Sequence, residues 1–386
     1  MRVRSRLPDG TTGDVRLQFG GNRLAPEESG ERQIQLLNST YLQRGSQTLT
    51  FGVDNSLTHL RTWIPTDQLG LYEFASLADL DNGVSSRYSR QVPINGAQTR
   101  ASQGVLDLGV FAQSEWRIGT GVTATAGLRY DVTSYMTGAP FNARVEQTLG
   151  LRTDNTPTDW NNLQPRIGLA WRLSDNWVIR AGSGLYFDLR TGQVAQSMFG
   201  NPPVYTRIDA NCQRNVLCTL DQPDNWTYLD PGHKTGAVAF PVSPTEERAI
   251  QNVSPNTKTD NSLQYNLAIQ RQLPKNMLVE MAYIGTKGTH LNGGENINPL
   301  IPVAGRDAPL FNGVQLRRTY AGFGDMTVVT QRGSSTYHSF QSTLKQRLNS
   351  TTFQLAYTFG KTLGDGDDSA RYRVNTFAST PWNQYH

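Results

Sequence analysis

Apolar and polar residues alternate along residues 105–131, in two arms separated by a short glycine-containing stretch at residues 119–121. Alternation with a period of two is typical of β-strands, so these arms predict a β-hairpin. The apolar positions are even-numbered in both arms, and a shared apolar face therefore requires a loop with an odd number of residues. The predicted register places Ile118 opposite Val122, Gln113 opposite Gly127, and Phe111 opposite Arg129.

The two faces of this hairpin differ in chemistry along their whole length. The even face is apolar and carries aromatic residues at Trp116 and Tyr130, whereas the odd face carries acids, bases and amides. The arms are longer than an average strand of about five or six residues. They match the roughly 9–11 residues that a tilted strand needs to cross a membrane. The hairpin therefore predicts two strands of a transmembrane β-barrel, with the apolar face outward.

The same design recurs four more times, so that five hairpins predict ten strands. In one of these hairpins, parity places Leu173 opposite Trp177, and in the last one it requires an even loop, supplied by Asn349 and Ser350. Less regular patterns predict a polar hairpin within residues 2–19 and a short helix at residues 76–81. The four further hairpins pair residues 33–43 with 48–59, 166–173 with 177–188, 263–273 with 277–283, and 340–348 with 353–359.

Short turns connect the strands at one end and long connections at the other. Connections above about 12–15 residues are uncommon unless they have a function, and outer-membrane barrels place long loops outside the cell and short turns in the periplasm. Trp116, Trp171 and Trp177 lie beside short turns, as a periplasmic aromatic girdle would. The expected extracellular loops are residues 61–101, 189–259, 287–335 and 362–386.

Composition limits the other classes of function. Hydrophobic residues make up 37% of the 386 residues, and no apolar run approaches the roughly 18 residues of a spanning helix, which excludes a helical membrane protein. The formal charge of +4 is scattered, so no nucleic-acid partner is expected. Residues 1–8 do not resemble a signal peptide. No catalytic or nucleotide-binding motif appears, and we expect neither an enzyme nor a cofactor.

The longest connection holds the candidate ligand-contacting residues. Cys212 and Cys218 either form a disulfide that closes the loop tip, remain two thiols, or contribute to a metal site. A metal site would need further ligands beside the two cysteines, and the five histidines are too dispersed in the sequence to supply them. Tyr205, Trp226 and Tyr228 either stack on a ligand or pack within the loop.

Charged residues on the polar strand faces are the second group of candidates. They either line a substrate path or contact a plug, or they form a hydrated wall of mutually paired charges. An acidic stretch at residues 364–369 superficially suggests a calcium loop, but Ala370 and Thr376 replace the glycine and glutamate that an EF-hand needs. The predicted lumen-lining residues are Asp107, Glu115, Arg129, Arg166, Arg172, Arg180, Glu280 and Lys345.

Four stretches together resemble a known family: VFAQSEWRI with ATAGLRYDV, LQPRIGLAW with VIRAGSGLYFD, QYNLAIQRQLPKNMLVEMAYIGTKGTHL, and YHSFQSTLKQRL with FQLAYTFGKTL. In this order they resemble TonB-dependent outer-membrane receptors, particularly the Oar-like type with a carboxypeptidase-regulatory-like domain. The chain departs from the family at Ser114, where an acid is more usual, and it lacks the plug, the TonB box and an aromatic terminal strand. Because such barrels have about 22 strands, we expect residues 1–386 to form one partial barrel domain of about 10–12 strands.

The resemblance implies a location in the bacterial outer membrane and energised uptake of a bulky nutrient. The class of nutrient stays open among siderophores, oligosaccharides and peptides. The expected partners are outer-membrane lipid, the TonB complex through the plug region, and an extracellular ligand. The alternative is an Oar-like surface protein for adhesion or protein export without small-molecule cargo. A soluble all-β binding domain is disfavoured by the arm lengths and the aromatic placement.

Overall fold

The computed structural model describes residues 2–6, 12–16, 28–63, 71–83, 85–93, 100–136, 138–188, 198, 205–211, 250–302, 310–311, 314–320, 323, 326–348 and 350–364. These residues form mostly β-strands, with two short helices. The elements in chain order are β1 (Arg2–Arg6), β2 (Thr12–Arg16), β3 (Glu28–Arg44), β4 (Gln47–Trp63), β5 (Leu71–Glu73), α1 (Leu77–Asp81), β6 (Arg87–Pro93), β7 (Ala101–Ile118), β8 (Val122–Tyr135), α2 (Ala143–Leu149), β9 (Leu163–Ser174), β10 (Trp177–Phe187), β11 (Tyr205–Asn211), β12 (Ile250–Val253), β13 (Asn261–Leu273), β14 (Met277–Asn296), β15 (Leu300–Pro302), β16 (Leu310–Phe311), β17 (Val314–Arg318), β18 (Met326–Leu348) and β19 (Thr351–Gly364).

One large sheet contains the ten predicted membrane strands. Its antiparallel order is β3, β4, β7, β8, β9, β10, β13, β14, β18 and β19, so each strand lies beside the next membrane strand in the chain. The short strand β12 pairs in parallel with the start of β18, on the same edge that β19 occupies further along. The predicted transmembrane antiparallel architecture is confirmed.

The apolar face of this sheet is exposed. Leu108, Leu128 and Leu169 retain 43%, 52% and 39% of their accessible surface, although all three lie in central strands. A soluble sheet buries its apolar face against a second layer. Exposure across the whole face is the arrangement of strands whose apolar side is solvated by lipid. The predicted outward orientation of the apolar face is therefore confirmed for these residues.

The register predicted from parity is confirmed at the central hairpin. Ile118 pairs with Val122, and Phe111 pairs with Arg129. Gln113 pairs with Gly127, as expected. The turn after Leu273 has an odd number of residues, as predicted, because Leu273 pairs with Met277. The turn after Leu348 has an even number of residues, as predicted, because Leu348 pairs with Thr351.

One predicted pair is wrong. Trp177 pairs with Ser174 rather than with Leu173, because the register shifts between Trp177 and Val178. Beyond the shift, Ile179 faces Trp171, which is the register that parity required. A β-bulge of this kind adds one residue to one strand and leaves the rest of the ladder intact.

The long connections contain more structure than the alternation predicted. β14 continues to Asn296 and β18 begins at Met326, so the strands extend well into residues 287–335, which the pattern assigned to a loop. The expected loop at residues 61–101 contributes β5 and β6, and β6 pairs with β11 from the next long connection. The predicted hairpin near the start exists as β1 and β2.

Both helices lie in these connections and begin at a capping side chain. Ser76 caps α1, the short helix predicted at residues 76–81, and Asn142 accepts hydrogen bonds from two backbone N–H groups of α2. Gly150 ends α2 in a left-handed conformation with φ of 67°. Neither helix is long and apolar enough to cross a membrane.

Helix α2 packs in a small apolar core at the end of the sheet where the long connections lie. Val145, Phe323 and Met326 are almost fully buried against one another, and the guanidinium of Arg144 lies 4.6 Å from the centre of the Phe323 ring. The core therefore joins the β8–β9 connection to the β14–β18 connection, although β10 and β13 lie between these two pairs of strands in the sheet.

Candidate functional site

All eight predicted lumen-lining residues lie on the polar face of the sheet. Their positions alternate with the exposed apolar residues, and cross-strand partners share the same face. The register aligns Arg129 with Gln164, Arg180 with Ala170, and Glu280 with Thr343. The strands that carry these residues are β7 for Asp107 and Glu115, β8 for Arg129, β9 for Arg166 and Arg172, β10 for Arg180, β14 for Glu280 and β18 for Lys345.

Arg129 is the centre of the most tightly connected group on this face. Its Nε atom donates to Asp131 Oδ2 at 2.8 Å, and its second terminal nitrogen donates to Asp54 Oδ2 at 3.2 Å. The side chains of Arg129 and Asp131 retain only 21% and 10% of their accessible surface. A charge this enclosed is tolerated because opposite charges and hydrogen bonds replace its water.

Gly109 makes the contact between Arg129 and Asp54 possible. Arg129 lies on β8 and Asp54 on β4, so the guanidinium must pass over the intervening strand β7. A Cβ atom at Gly109 would lie 2.7 Å from the terminal nitrogen of Arg129 and 2.6 Å from Asp131 Oδ1. Both distances are too short for any real side chain, so only glycine permits this crossing.

The polar contacts continue across the neighbouring strands on both sides of this group. Gln35 donates to the other Asp54 oxygen at 2.9 Å. On the opposite side, Gln164 donates to Asp131 Oδ2, and Arg166 donates to the Gln164 carbonyl oxygen at 3.1 Å. The guanidinium of Arg166 also lies 4.4 Å from the centre of the Tyr186 ring. One connected polar chain thus runs from β3 to β10.

Asp107 forms a second, smaller cluster beside this chain. Its carboxylate accepts hydrogen bonds from Thr133 at 2.6 Å and from Ser56 at 3.3 Å. The three residues occupy neighbouring strands at one level of the register. Asp107 is therefore hydrogen-bonded within the wall, and this pairing leaves both interpretations of the polar face open.

The remaining predicted charges divide into paired and unpaired groups. Glu115 accepts from Arg117 at 3.2 Å, and Glu280 accepts from Gln270. Arg172, Arg180 and Lys345 are exposed and form no ion pair with the residues that the structure describes. The polar face therefore combines a paired centre with free cations.

Several polar side-chain atoms that are buried on this face lack a hydrogen-bond partner, among them atoms of Gln103, Arg166 and Ser339. Gln103 is 1% exposed, and neither atom of its side-chain amide has a partner. The Nε atom of Arg166 is also buried without a partner. Unsatisfied buried groups are uncommon in native proteins and mark places where water or another polar group fits.

The predicted loop candidates fall outside the described part of the chain or at its margin. Tyr205 begins β11, whose backbone pairs with β6. Cys212, Cys218, Trp226 and Tyr228 lie outside the described residues. Of the acidic stretch at residues 364–369, only Gly364 belongs to the described residues. The possible calcium loop therefore lies outside the described part of the chain.

Sequence alone did not identify Asp54, Asp131 and Gln164 as members of the central cluster. Asp131 stands beside its partner Arg129 on the polar face of the predicted hairpin, but its second partner, Gln164, comes from another hairpin. The available signal was parity, because Asp54 shares a face with Gly109 once β4 and β7 are aligned. That alignment requires knowledge of which hairpins are neighbours.

An exposed apolar face, a polar inner face and unequal turn lengths define a transmembrane β-barrel wall. A family of outer membrane beta barrel domains matches residues 4–386, and the chain belongs to this family. The protein is accordingly located in the bacterial outer membrane. Comparison with curated proteins gives no significant match.

Solved structures of outer-membrane transporters and receptors are similar to this chain over part of their own length. The apoprotein form of the FrpB iron transporter from Neisseria meningitidis has a TM-score of 0.48 at 10% identity, over 88% of this chain and 37% of its own. The outer membrane transporter YddB from Escherichia coli has a TM-score of 0.46 at 11% identity, over 88% and 34%. The siderophore receptor PirA from Acinetobacter baumannii has a TM-score of 0.46 at 8% identity, over 92% and 39%. The chain spans well under half the length of these proteins.

Proposed function

We propose that the chain is the barrel wall of an outer-membrane receptor that takes up a bulky nutrient with energy supplied by the TonB complex. The observation that carries this proposal is the polar inner face, where a paired centre around Arg129 stands beside the free cations Arg172 and Arg180. A wall of this kind suits a hydrated path for a polar solute. A purely structural wall would have no need for free cations facing inward.

The TonB coupling and the Oar-like subtype rest on the sequence resemblance, and the ligand class stays open. In this proposal the protein is not an enzyme, and a plug region contacts the TonB complex. The partners are outer-membrane lipid, the TonB complex and an extracellular ligand. Residues 189–259 contribute to recognition of that ligand, because loops carry function when a rigid scaffold positions them.

The test compares uptake by cells that lack the full-length protein with uptake by cells that produce it. Three labelled probes represent the ligand classes: a ferric hydroxamate siderophore, a maltodextrin and a decapeptide. The proposal expects that one probe enters only the producing cells, and that a protonophore stops its entry. Equal uptake of every probe, with a loss of surface adhesion or of protein export in the deletion strain, would contradict uptake and favour the Oar-like alternative.

Two adjacent positions in β10 provide a matched pair of variants. Gly182 is on the inner face, and a Cβ atom there would make only ordinary contacts, the nearest at 3.4 Å from the Asn266 side chain. Ala181 is on the outer face. Gly182→Trp should lower uptake several-fold because it narrows the path, whereas Ala181→Trp should leave uptake within about twofold because its ring faces lipid.

A further inference from the structure

The outer face of β13, β14, β18 and β19 carries a row of polar and aromatic residues. This row lies near the end of the sheet at which the long connections join the strands. Tyr265 pairs with Gly285, Gly285 pairs with His338, and His338 pairs with Lys361. These four residues occupy one level of the sheet, because directly paired residues lie side by side. Lys287 lies one step further along the outer face of β14.

Close packing holds the aromatic part of this row in place. A Cβ atom at Gly285 would overlap the Tyr265 ring, so the glycine allows that ring to lie flat across β14. The Tyr283 ring centre is 6.2 Å from that of Tyr265 and 6.0 Å from that of His338. The Tyr283 hydroxyl also lies 2.6 Å from His338 Nδ1, at hydrogen-bond distance.

The charge on this face is of one sign. Lys287 and Lys361 are its cations at this end, and Lys287 Nζ donates to Thr336 Oγ1 at 3.1 Å. No acidic residue occupies an outward position of β13, of Met277–Thr289 in β14, of residues 336–348 in β18, or of β19. The inner face, by contrast, pairs acids with bases. The outer cations Lys287 and Lys361 thus have no acidic partner at these outward positions and are accessible to an anion from outside the protein.

The level of the row coincides with the expected boundary of the membrane. Roughly 9–11 residues of a tilted strand span the hydrocarbon layer, and Tyr265 lies at this separation from Leu273 at the short turn. At the opposite boundary, the Arg271 guanidinium lies 4.7 Å from the centre of the Trp177 ring. Aromatic and basic residues at such levels contact lipid headgroups, and lysine stems lie along the apolar surface while the amine reaches the interface.

We propose that Lys287, His338 and Lys361, defined as the outward basic cluster, bind phosphate groups of anionic lipids in the outer leaflet. Tyr265 and Tyr283 provide the aromatic surface on which the lipid lies. The two lysines supply charge, and Nε2 of His338, whose Nδ1 lies at hydrogen-bond distance from Tyr283, supplies a hydrogen-bonding position beside them. The occupant is a phosphorylated lipid because the surrounding face is apolar and faces the bilayer, which a soluble anion does not enter.

The test measures binding of diphosphoryl lipid A to the full-length protein in detergent by native mass spectrometry. Each basic side chain near an anionic lipid surface contributes about fivefold to affinity, so Lys287→Gln with Lys361→Gln should weaken binding roughly 30-fold. Lys345→Gln removes the same charge from the inner face and should change affinity less than about twofold. Lys287→Arg with Lys361→Arg should retain binding, because arginine keeps the charge and binds phosphate well.

Folding is checked for each variant by heat-modifiable migration on gels. Diacylglycerol, which has no phosphate, should bind the wild type weakly and all variants equally. Equal affinity of the wild type and the double glutamine variant for diphosphoryl lipid A would overturn the proposal. Equal affinity of the wild type for diphosphoryl lipid A and diacylglycerol would do the same. These outcomes are independent of nutrient uptake.

Discussion

Replacing Arg129 with methionine tests the contribution of the central inner cluster to barrel stability. Methionine keeps much of the side-chain length and removes both ion pairs. The bond to the nearly buried Asp131 is a hydrogen bond between charged groups, worth about 1.5–3 kcal/mol. The pair with Asp54, whose side chain is 29% exposed, is worth about 0.2–1 kcal/mol. We expect Arg129→Met to lower the free energy of unfolding by about 2–3 kcal/mol, since lumen water offsets part of the loss.

The assay is urea unfolding of the full-length protein in lipid vesicles, followed by tryptophan fluorescence. Arg180→Met is the matched control, because Arg180 shares the inner face without an ion pair among the described residues, and its effect should stay below about 0.5 kcal/mol. Adding Asp131→Asn to Arg129→Met should recover about 1 kcal/mol, because an unpaired buried charge is removed. Equal destabilisation by Arg129→Met and Arg180→Met would refute the reasoning.

Three further predictions concern the outer face and the loops. Phe323→Ala opens the small apolar core around Val145 at a cost of about 3–5 kcal/mol, so trypsin should cleave within α2 faster on intact cells; an unchanged rate would count against this packing. Gly285→Val should slow barrel assembly on gels because its side chain displaces the Tyr265 ring. Gly293→Val, in open space on the same strand, should not, and equal behaviour of the two would contradict the argument. Deleting residues 202–242 should abolish ligand binding without affecting assembly; retained binding would place the site elsewhere.

The registers of the hairpins were predictable because parity is a strong constraint. A slip of one residue would turn an apolar set such as that of β8 toward the polar face, so the sequence tolerates only one alignment. The exception at Leu173 arises because a bulge changes parity locally without altering the alternating pattern on either side. The lengths of the short turns were predictable from the same parity of apolar positions.

The extracellular ends and the inner contacts were less accessible from sequence. β14 and β18 continue beyond the membrane, where alternation is no longer imposed by lipid, and the pattern therefore lapses before the strands end. Helix α2 depends on Phe323, which is distant in sequence, for its burial. The Asp54–Arg129 pair requires two strands on either side of β7 and a glycine between them, a combination that appears only once the strands are aligned.

The central claim is that one face of the sheet contacts lipid and the other lines a hydrated lumen, and alternate positions of β9 test it most directly. Single cysteines are introduced as Arg166→Cys, Ile167→Cys, Leu169→Cys or Ala170→Cys in the full-length protein with both native cysteines replaced by serine. Each is labelled with a small fluorophore and reconstituted in vesicles of brominated lipid. Labels at 167 and 169 should be strongly quenched, whereas those at 166 and 170 should not. Equal quenching at all four positions, or quenching at 166 and 170 alone, would contradict the account.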